Sequence, residues 1–485
     1  MPTAHTSTLH MTSCSKMAAT SAVKSLRNLP YIVVLGATGT GKSKLAIEIA
    51  SAFNGEIISA DSMQVYKSLD ITTNKVTASE RAAVPHHMLD FLDPLSSFTV
   101  VDFRNGALQV IKNLTNQGKL PVIVGGTNYY IESLLWSVLV NPEALPQDQL
   151  ASQRNEISVS KIINSFLTHN DCINQADEAS LKSFLSRAGQ NKSSELSTED
   201  LYQCLKLVDP LRAGKIHPKD RRKIERSLQV YQTHMQPHSK FIEEQQTLSG
   251  GSSLGGPLRN PRTCILWLQC DQKVLDDRLD SRVDDMIAQG LLKEMQDFHS
   301  DYNANRIANN VKPDYTTGIF QSIGFKEFHR YLMMKEEDQK SEAGEKLFKE
   351  CLWLMKQVTK RYSRYQKKWI MRRFLGTPDR DVPPLYGLEA TDVLQWDENV
   401  KKPALAIVQD YLEGREPIHA PLPSIGGNEN VHKLFTCDVC NVTALGSIVW
   451  QTHLQSRKHY KMTKRLREQQ QAANMSVDQH QKIAS

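Results

Sequence analysis

Short, mostly apolar runs at Tyr31–Leu35, Glu56–Ala60, Leu120–Val124 and Thr263–Gln269 punctuate a chain whose other segments place apolar residues at helical spacing. Such runs, bounded by turn residues and flanked by helical patterns, are the buried strands of a parallel sheet. The pattern therefore predicts an α/β fold, a doubly wound parallel sheet. Residues 140–210 are polar and helix-prone with few strand signals, which predicts a helical insertion between a first core segment, 30–139, and a second, 211–375. Around 249–256 the chain reads Ser-Gly-Gly-Ser-Ser-Leu-Gly-Gly, a flexible loop, and long helical segments run to about 375. Over 376–430 Pro and Gly recur and periodicity weakens, so a linker is expected there, followed by a small module at 431–470 and a disordered tail at 471–485.

Between the first strand and the next helical run stands Gly36-Ala-Thr-Gly-Thr-Gly41-Lys42-Ser43. The pattern G-x-x-x-x-G-K-[ST] forms a phosphate cradle. Glycines let the backbone N–H groups of Gly36, Ala37, Thr38, Gly39, Thr40 and Gly41 wrap an anion, Lys42 neutralises it, and Ser43 can hold Mg²⁺. The helix N-terminus adds its dipole. The fold class narrows to a P-loop NTPase-like sheet, with a helical insertion, a helical C-terminal extension and a small finger. The motif alone leaves open which phosphate compound binds and whether a phosphoryl group moves.

Composition then removes several classes. At 485 residues, 23% charged and 40% hydrophobic, the chain is ordinary for a globular protein, and no apolar run approaches a membrane span. Eight cysteines lie scattered apart from Cys437 and Cys440, which fits a reducing compartment. Residues 1–30 lack Asp and Glu and carry Lys16, Lys24 and Arg27, so residues 1–29 are expected to be a disordered or mitochondrial leader. Mitochondrion and cytoplasm are the expected locations, with the nucleus a further one. The net charge is only +6, but cations cluster over 356–373 and 457–467, which suits a polyanion better than the total suggests. Tyr362, Tyr365 and Trp369 interleave with the first cluster, a pattern that serves base stacking or core packing.

Ligands of doubly wound sheets lie outside the carboxyl ends of the strands, so residues just past each strand are candidates. Asp61 follows Glu56–Ala60, where a carboxylate can accept a proton from an incoming nucleophile or simply cap a turn. Gln64 carries the paired donor and acceptor that read an adenine edge. After Val124 come Gly125-Gly126-Thr127-Asn128; an ATPase places an acid there, so its absence argues against a hydrolytic motor. Arg222 and Arg226 share a helical face and suit a pyrophosphate clamp, and Arg278 and Arg282 repeat the spacing. The last module has Cys437-x2-Cys440-x12-His453-x5-His459, ligand spacing for a tetrahedral, closed and therefore structural Zn²⁺ site.

Taken together these motifs resemble the tRNA dimethylallyltransferases, the isopentenyl-transferring enzymes that modify the adenosine immediately 3′ of the anticodon. The resemblance spans about residues 30–375. It rests on Gly36–Ser43, Asp61–Tyr66, Val84–His87, Val124–Tyr130, Ile216–Asp220 with Arg226, Arg282–Met286 and Ile323–Glu327. It implies that the cradle binds dimethylallyl diphosphate and that Asp61 takes a proton from the adenosine amine as that nitrogen attacks the allylic carbon. Lys42 and Arg226 then stabilise departing diphosphate, assisted by Ser43 and Mg²⁺. The tRNA anticodon stem-loop is the implied partner of a monomer, gripped by the 140–210 insertion and by the 356–373 helix, with isopentenyladenosine the product. Two departures stand out. Thr233-His-Met235 lacks the family's helix-ending glycine, so the helix is expected to end differently, and Lys223 replaces an Arg of bacterial relatives.

Three other readings share parts of this pattern. A small-molecule kinase shares the cradle and the carboxylate, and an adenylate prenyltransferase of the cytokinin type shares the chemistry without needing an insertion or a finger. A zinc-finger RNA-binding protein with a degenerate nucleotide fold needs no working Asp61.

Overall fold

The structure, a computed structural model, describes residues 29–137, 161–163, 196–308, 318–426 and 433–469. The expected leader up to residue 28, most of the expected insertion and the tail lie outside the described residues. The chain forms two compact units, residues 1–137 with 250–426 and residues 138–249 with 427–485.

The first unit is built on a six-stranded parallel sheet: β1 (Ile32–Gly36), β2 (Gly55–Ser59), β3 (His86–His87), β4 (Leu120–Val124), β5 (Cys264–Gln269) and β6 (Leu385–Glu389), in the order β3-β2-β4-β1-β5-β6. The run Ile32-Val-Val-Leu is apolar throughout because alternate residues enter two cores. Val34 packs with Leu45 and Ile49 on one face, and Val33 and Leu35 with Phe103 and Ile131 on the other. Register is set by Val33, which faces Ile123 of β4 and Ile265 of β5. The helix Val100–Asn116 starts at a reciprocal cap in which Thr99 Oγ1 accepts the Asp102 N–H and the Asp102 carboxylate accepts the Thr99 N–H.

Residues 376–426 correct the expectation of a linker. Leu385–Glu389 pairs with β5 as an edge strand, and the helix Lys402–Glu413 buries Ala404, Ile407 and Val408 in the same core as Val34. Pro383, Pro384 and Gly387 hide this strand from sequence reading, yet an edge position tolerates them. The long helix Glu342–Ile370 turns Cys351, Met355, Thr359, Ser363, Gln366 and Ile370 inward, carrying Gln366 beneath the carboxyl ends of the strands.

The second unit corrects the expectation that the sheet core resumes at 211. The helix Arg221–His234 buries Ile224, Leu228 and Tyr231 against Leu201 and Leu205 of the helix Thr198–Val208, so this segment belongs with the second unit and the sheet unit resumes at 250. The antiparallel pair β7 (Leu434–Cys437) and β8 (Val442–Leu445) precedes the helix Ser447–Leu454. It is no separate module, since Leu434 packs against that helical core and the His217 ring meets the Thr443 carbonyl at 3.3 Å. The helix Arg221–His234 ends as a glycine-terminated helix would, contrary to expectation: Met235 sits at φ 54°, ψ 27°, and its N–H donates to Tyr231 O at 2.8 Å. A side chain in that left-handed conformation costs about 1 kcal/mol.

Candidate active site

Beyond β1 the chain turns through Gly39 (φ 83°) and Gly41 (φ 89°) into the helix Lys42–Ala52. Only glycine fits at both points: an added Cβ would lie 2.8 Å from Leu279 at Gly39 and 2.7 Å from the Trp396 ring at Gly41. Thr40 Oγ1 donates to Ala37 O at 2.9 Å, and Lys42 Nζ donates to the same carbonyl at 2.8 Å. The lysine thus reaches back over the loop, above a cavity of about 260 Å³.

The cavity wall unites Thr38, Gly39, Gly41, Lys42, Ser43, Asp61, Gln64 and Arg282 from the sequence-derived set. Asp61, just past β2, accepts the Met63 N–H on Oδ1 at 2.9 Å, while Oδ2 faces Gly126, where an added Cβ would come within 3.2 Å. Burial pushes the Asp61 pKa up, opposed by the Met63 N–H and by the charges of Lys42 and Arg282. Burial and neighbouring Arg282 bring Lys42 down to about 8, with Asp61 opposing. Arg282, lowered by burial, donates to Thr38 Oγ1 at 3.0 Å and has a buried Nε–H with no hydrogen-bond partner among the described residues. Two cations against one carboxylate in a recess leave positive charge for an anionic ligand.

Other candidates support these walls without lining them. Gly36, Ala37 and Thr40 shape the turn. Thr127 Oγ1 accepts the Ser62 N–H at 3.0 Å and so holds the Asp61 loop, and Asn128 Nδ2 donates to Gln366 O at 3.3 Å. Gln64 lines the cavity, but its amide is spent on protein: Nε2 donates to Thr73 O and Asn74 O at 3.1 and 3.0 Å, and Oε1 accepts from Ser59. In this arrangement it braces a wall of the cavity. Arg278 points elsewhere, to the carbonyls of Ala390 (2.8 Å) and Thr391, fastening the end of β6. Arg222 and Arg226 lie in the second unit, both exposed on the helix Arg221–His234. Behind burial and Arg212, Arg226 helps bring the nearby His238 down to about 4.

Sequence reading missed Gln366 as a site residue and took Tyr362 for a stacking or core residue. Gln366 Oε1 accepts the Thr38 N–H at 2.8 Å, its Nε2 donates to Gly126 O at 2.9 Å, and the Tyr362 hydroxyl donates to the same carbonyl at 3.2 Å. One amide therefore ties the cradle to the loop after β4. Their i, i+4 spacing with Ser363 and Ile370 nearby was visible, but not their target. The basic stripe of this helix also changes meaning. Lys356 pairs with Asp284 at 2.7 Å, Lys360 with Asp280 at 2.9 Å and Arg364 with Asp276, an antiparallel ladder against the helix Gln272–Ala288. Arg373 pairs with buried Glu132, which also accepts from Trp369 Nε1 at 2.6 Å. Trp369 is thus committed to the core, and Tyr365 is the exposed aromatic of the three.

In the second unit the ligand atoms of Cys437, Cys440, His453 and His459 lie within 4.8 Å of one another. His459 Nδ1 faces both sulfurs, at 3.5 and 3.4 Å, and His453 Nε2 is buried with no hydrogen-bond partner among the described residues. Two soft thiolates and two imidazoles fit Zn²⁺, with every position filled by protein.

The IPP transferase family model matches residues 64–373. The chain belongs to the IPP transferase family. An isopentenyl transferase model also matches residues 30–90, and a C2H2-type zinc-finger model residues 435–459, the span of the Cys/His cluster. The tRNA dimethylallyltransferase of Homo sapiens is 46% identical over 446 residues, covering 91% of this chain and 87% of that one. The tRNA dimethylallyltransferase of Saccharomyces cerevisiae is 32% identical, covering 90% of this chain and 92% of that one. A solved structure of a eukaryotic dimethylallyltransferase acting on tRNA matches with a TM-score of 0.70 at 30% identity, covering 93% of this chain and 100% of that one. Among the described residues of this IPP transferase, no helix is long and apolar enough to cross a membrane.

Proposed function

We propose that this chain is a tRNA dimethylallyltransferase, moving the dimethylallyl group of dimethylallyl diphosphate to N6 of the adenosine 3′-adjacent to the anticodon. One observation carries the reading: among the described residues one carboxylate of the cavity wall, the half-buried Asp61, faces a cationic phosphate cradle. The N6–carbon bond forms as the carbon–oxygen bond to diphosphate breaks, and the N6 proton passes to Asp61. Its raised pKa suits a base that must hold that proton while diphosphate leaves. Lys42 and Arg282 neutralise the charge accumulating on the leaving group, and backbone N–H groups of the cradle bind its oxygens. The cradle would hold diphosphate as a leaving group where a kinase holds ATP.

Ser43, an oxygen donor on the cavity wall, would hold Mg²⁺ there. When bound, the ion adds charge neutralisation at the leaving group. The roles of Arg222 and Arg226 in diphosphate binding rest on the motif they share with the family. An adenosine inside an anticodon loop must leave its stack to reach a recessed carboxylate, which supports a flipped-base mode.

The test is label transfer by the purified full chain. Carbon label from dimethylallyl diphosphate should appear in tRNA and not in free AMP. γ-Phosphate label from ATP reaching a small acceptor, with tRNA unlabelled, would establish the kinase; label in AMP alone would establish the adenylate enzyme.

A further inference from the structure

Beyond the span matched by the IPP transferase family model, which ends at 373, the chain returns to the cradle. Trp396 follows β6 on a short helical turn and is only 5% exposed. Its six-membered ring occupies the space an added Gly41 Cβ would need, at 2.7 and 2.8 Å. Its Nε1–H donates to the Glu48 carboxylate at 3.0 Å, fixing the ring to the second turn of the cradle helix. Lys44 Nζ lies 4.6 Å from the ring centroid, and Lys44 lines the cavity beside Lys42 and Ser43.

We infer that Trp396 is a positioning residue for the diphosphate site and that Lys44, held over its ring, is a further cation of that site. The Trp396 ring backs the left-handed turn at Gly41, so the N–H groups that follow keep their direction. The same ring confines a long, flexible side chain whose ammonium would otherwise sample solvent, lowering the entropy lost when it meets an anion. Glu48 sets the ring plane through Nε1. The inference rests on the proposed diphosphate reading of the cavity.

The experiment measures binding of inorganic pyrophosphate to the full chain by calorimetry, with kcat and KM for dimethylallyl diphosphate alongside. Lys44→Met keeps the aliphatic stem on the ring and removes the charge. It should weaken pyrophosphate binding roughly 3–10-fold and raise KM, with kcat and tRNA affinity unchanged. Trp396→Ala should weaken pyrophosphate roughly 10–100-fold, and Trp396→Phe should recover part of that loss. A parent that binds pyrophosphate and a folded Lys44→Met that binds it equally well overturn the inference, whether or not Trp396→Ala folds. A parent that binds no pyrophosphate overturns the diphosphate reading and this inference with it.

Discussion

The cradle and the finger are both announced by short sequence motifs, yet they are completed in opposite ways. The finger draws all four ligands from 437–459, with donor atoms within 4.8 Å of one another, even though its strands rest on the helical core of the second unit. The cradle spells eight residues at 36–43, but its working form takes Arg282 on Thr38, Gln366 between Thr38 and Gly126, and Trp396 against Gly41. A metal can substitute for a core, whereas a backbone anion site must be held by the fold around it. The finger should therefore fail alone, and the cradle should fail whenever distant elements are disturbed.

The largest expected effect breaks the finger only. Cys440→Ser should abolish stoichiometric zinc binding, an interaction worth about 10–16 kcal/mol in isolated zinc-finger peptides, while pyrophosphate affinity at the cradle stays unchanged. Metal analysis beside pyrophosphate calorimetry checks both halves. Next, Gln366→Leu removes the acceptor of the Thr38 N–H and a donor to Gly126 O, 328 and 240 residues away in sequence. Each buried group left without a partner costs about 1–3 kcal/mol. KM for dimethylallyl diphosphate should rise roughly 10–100-fold, and a value within error of the parent would show that the cradle is as self-contained as the finger.

A smaller effect is the pH profile of kcat/KM. Asp61 must be ionised to take the proton, so activity rises with pH through a pKa above the ordinary carboxylate value. Lys42 must be charged, so activity falls again above about pH 8, near tenfold per unit. Stability responds oppositely. Between about 8 and the ordinary 10.5 the unfolded chain holds the Lys42 proton that the folded chain has lost, so unfolding free energy from this group rises with pH. Pyrophosphate should draw the falling limb upward by favouring the charged lysine. The smallest effect lies in the second unit: Met235→Gly, relieving a left-handed side chain, should raise its unfolding free energy by about 1 kcal/mol in chemical denaturation.

Sequence legibility follows the same division. The strands at 32–36, 55–59, 120–124 and 264–269 announce themselves because two-sided burial makes them mostly apolar, with Ile57 and Ile58 carrying the signal in the second. Leu385–Glu389 does not, because an edge strand with Gly387 inside and prolines before it reads as a linker. Asp61, Lys42 and the four zinc ligands carry their chemistry in their own type and spacing. Gln366 and Trp396 act through residues hundreds of positions away, and no local pattern separates them from ordinary core residues. The basic stripe at 356–364 misleads for a related reason. Its partners Asp284, Asp280 and Asp276 repeat at the same four-residue spacing on another helix, so the complementarity is written in the chain, but the antiparallel pairing that uses it is tertiary.

In the proposed reaction Asp61 takes the N6 proton within a diphosphate cradle. Nucleoside mass spectrometry of tRNA incubated with dimethylallyl diphosphate and either the parent or Asp61→Asn tests this most directly, with tRNA and pyrophosphate affinities measured on both proteins. The parent should yield isopentenyladenosine, and Asp61→Asn should yield it roughly 10²–10⁴ times more slowly while binding both ligands. Isopentenyladenosine formed by Asp61→Asn at the parent's rate would contradict the account.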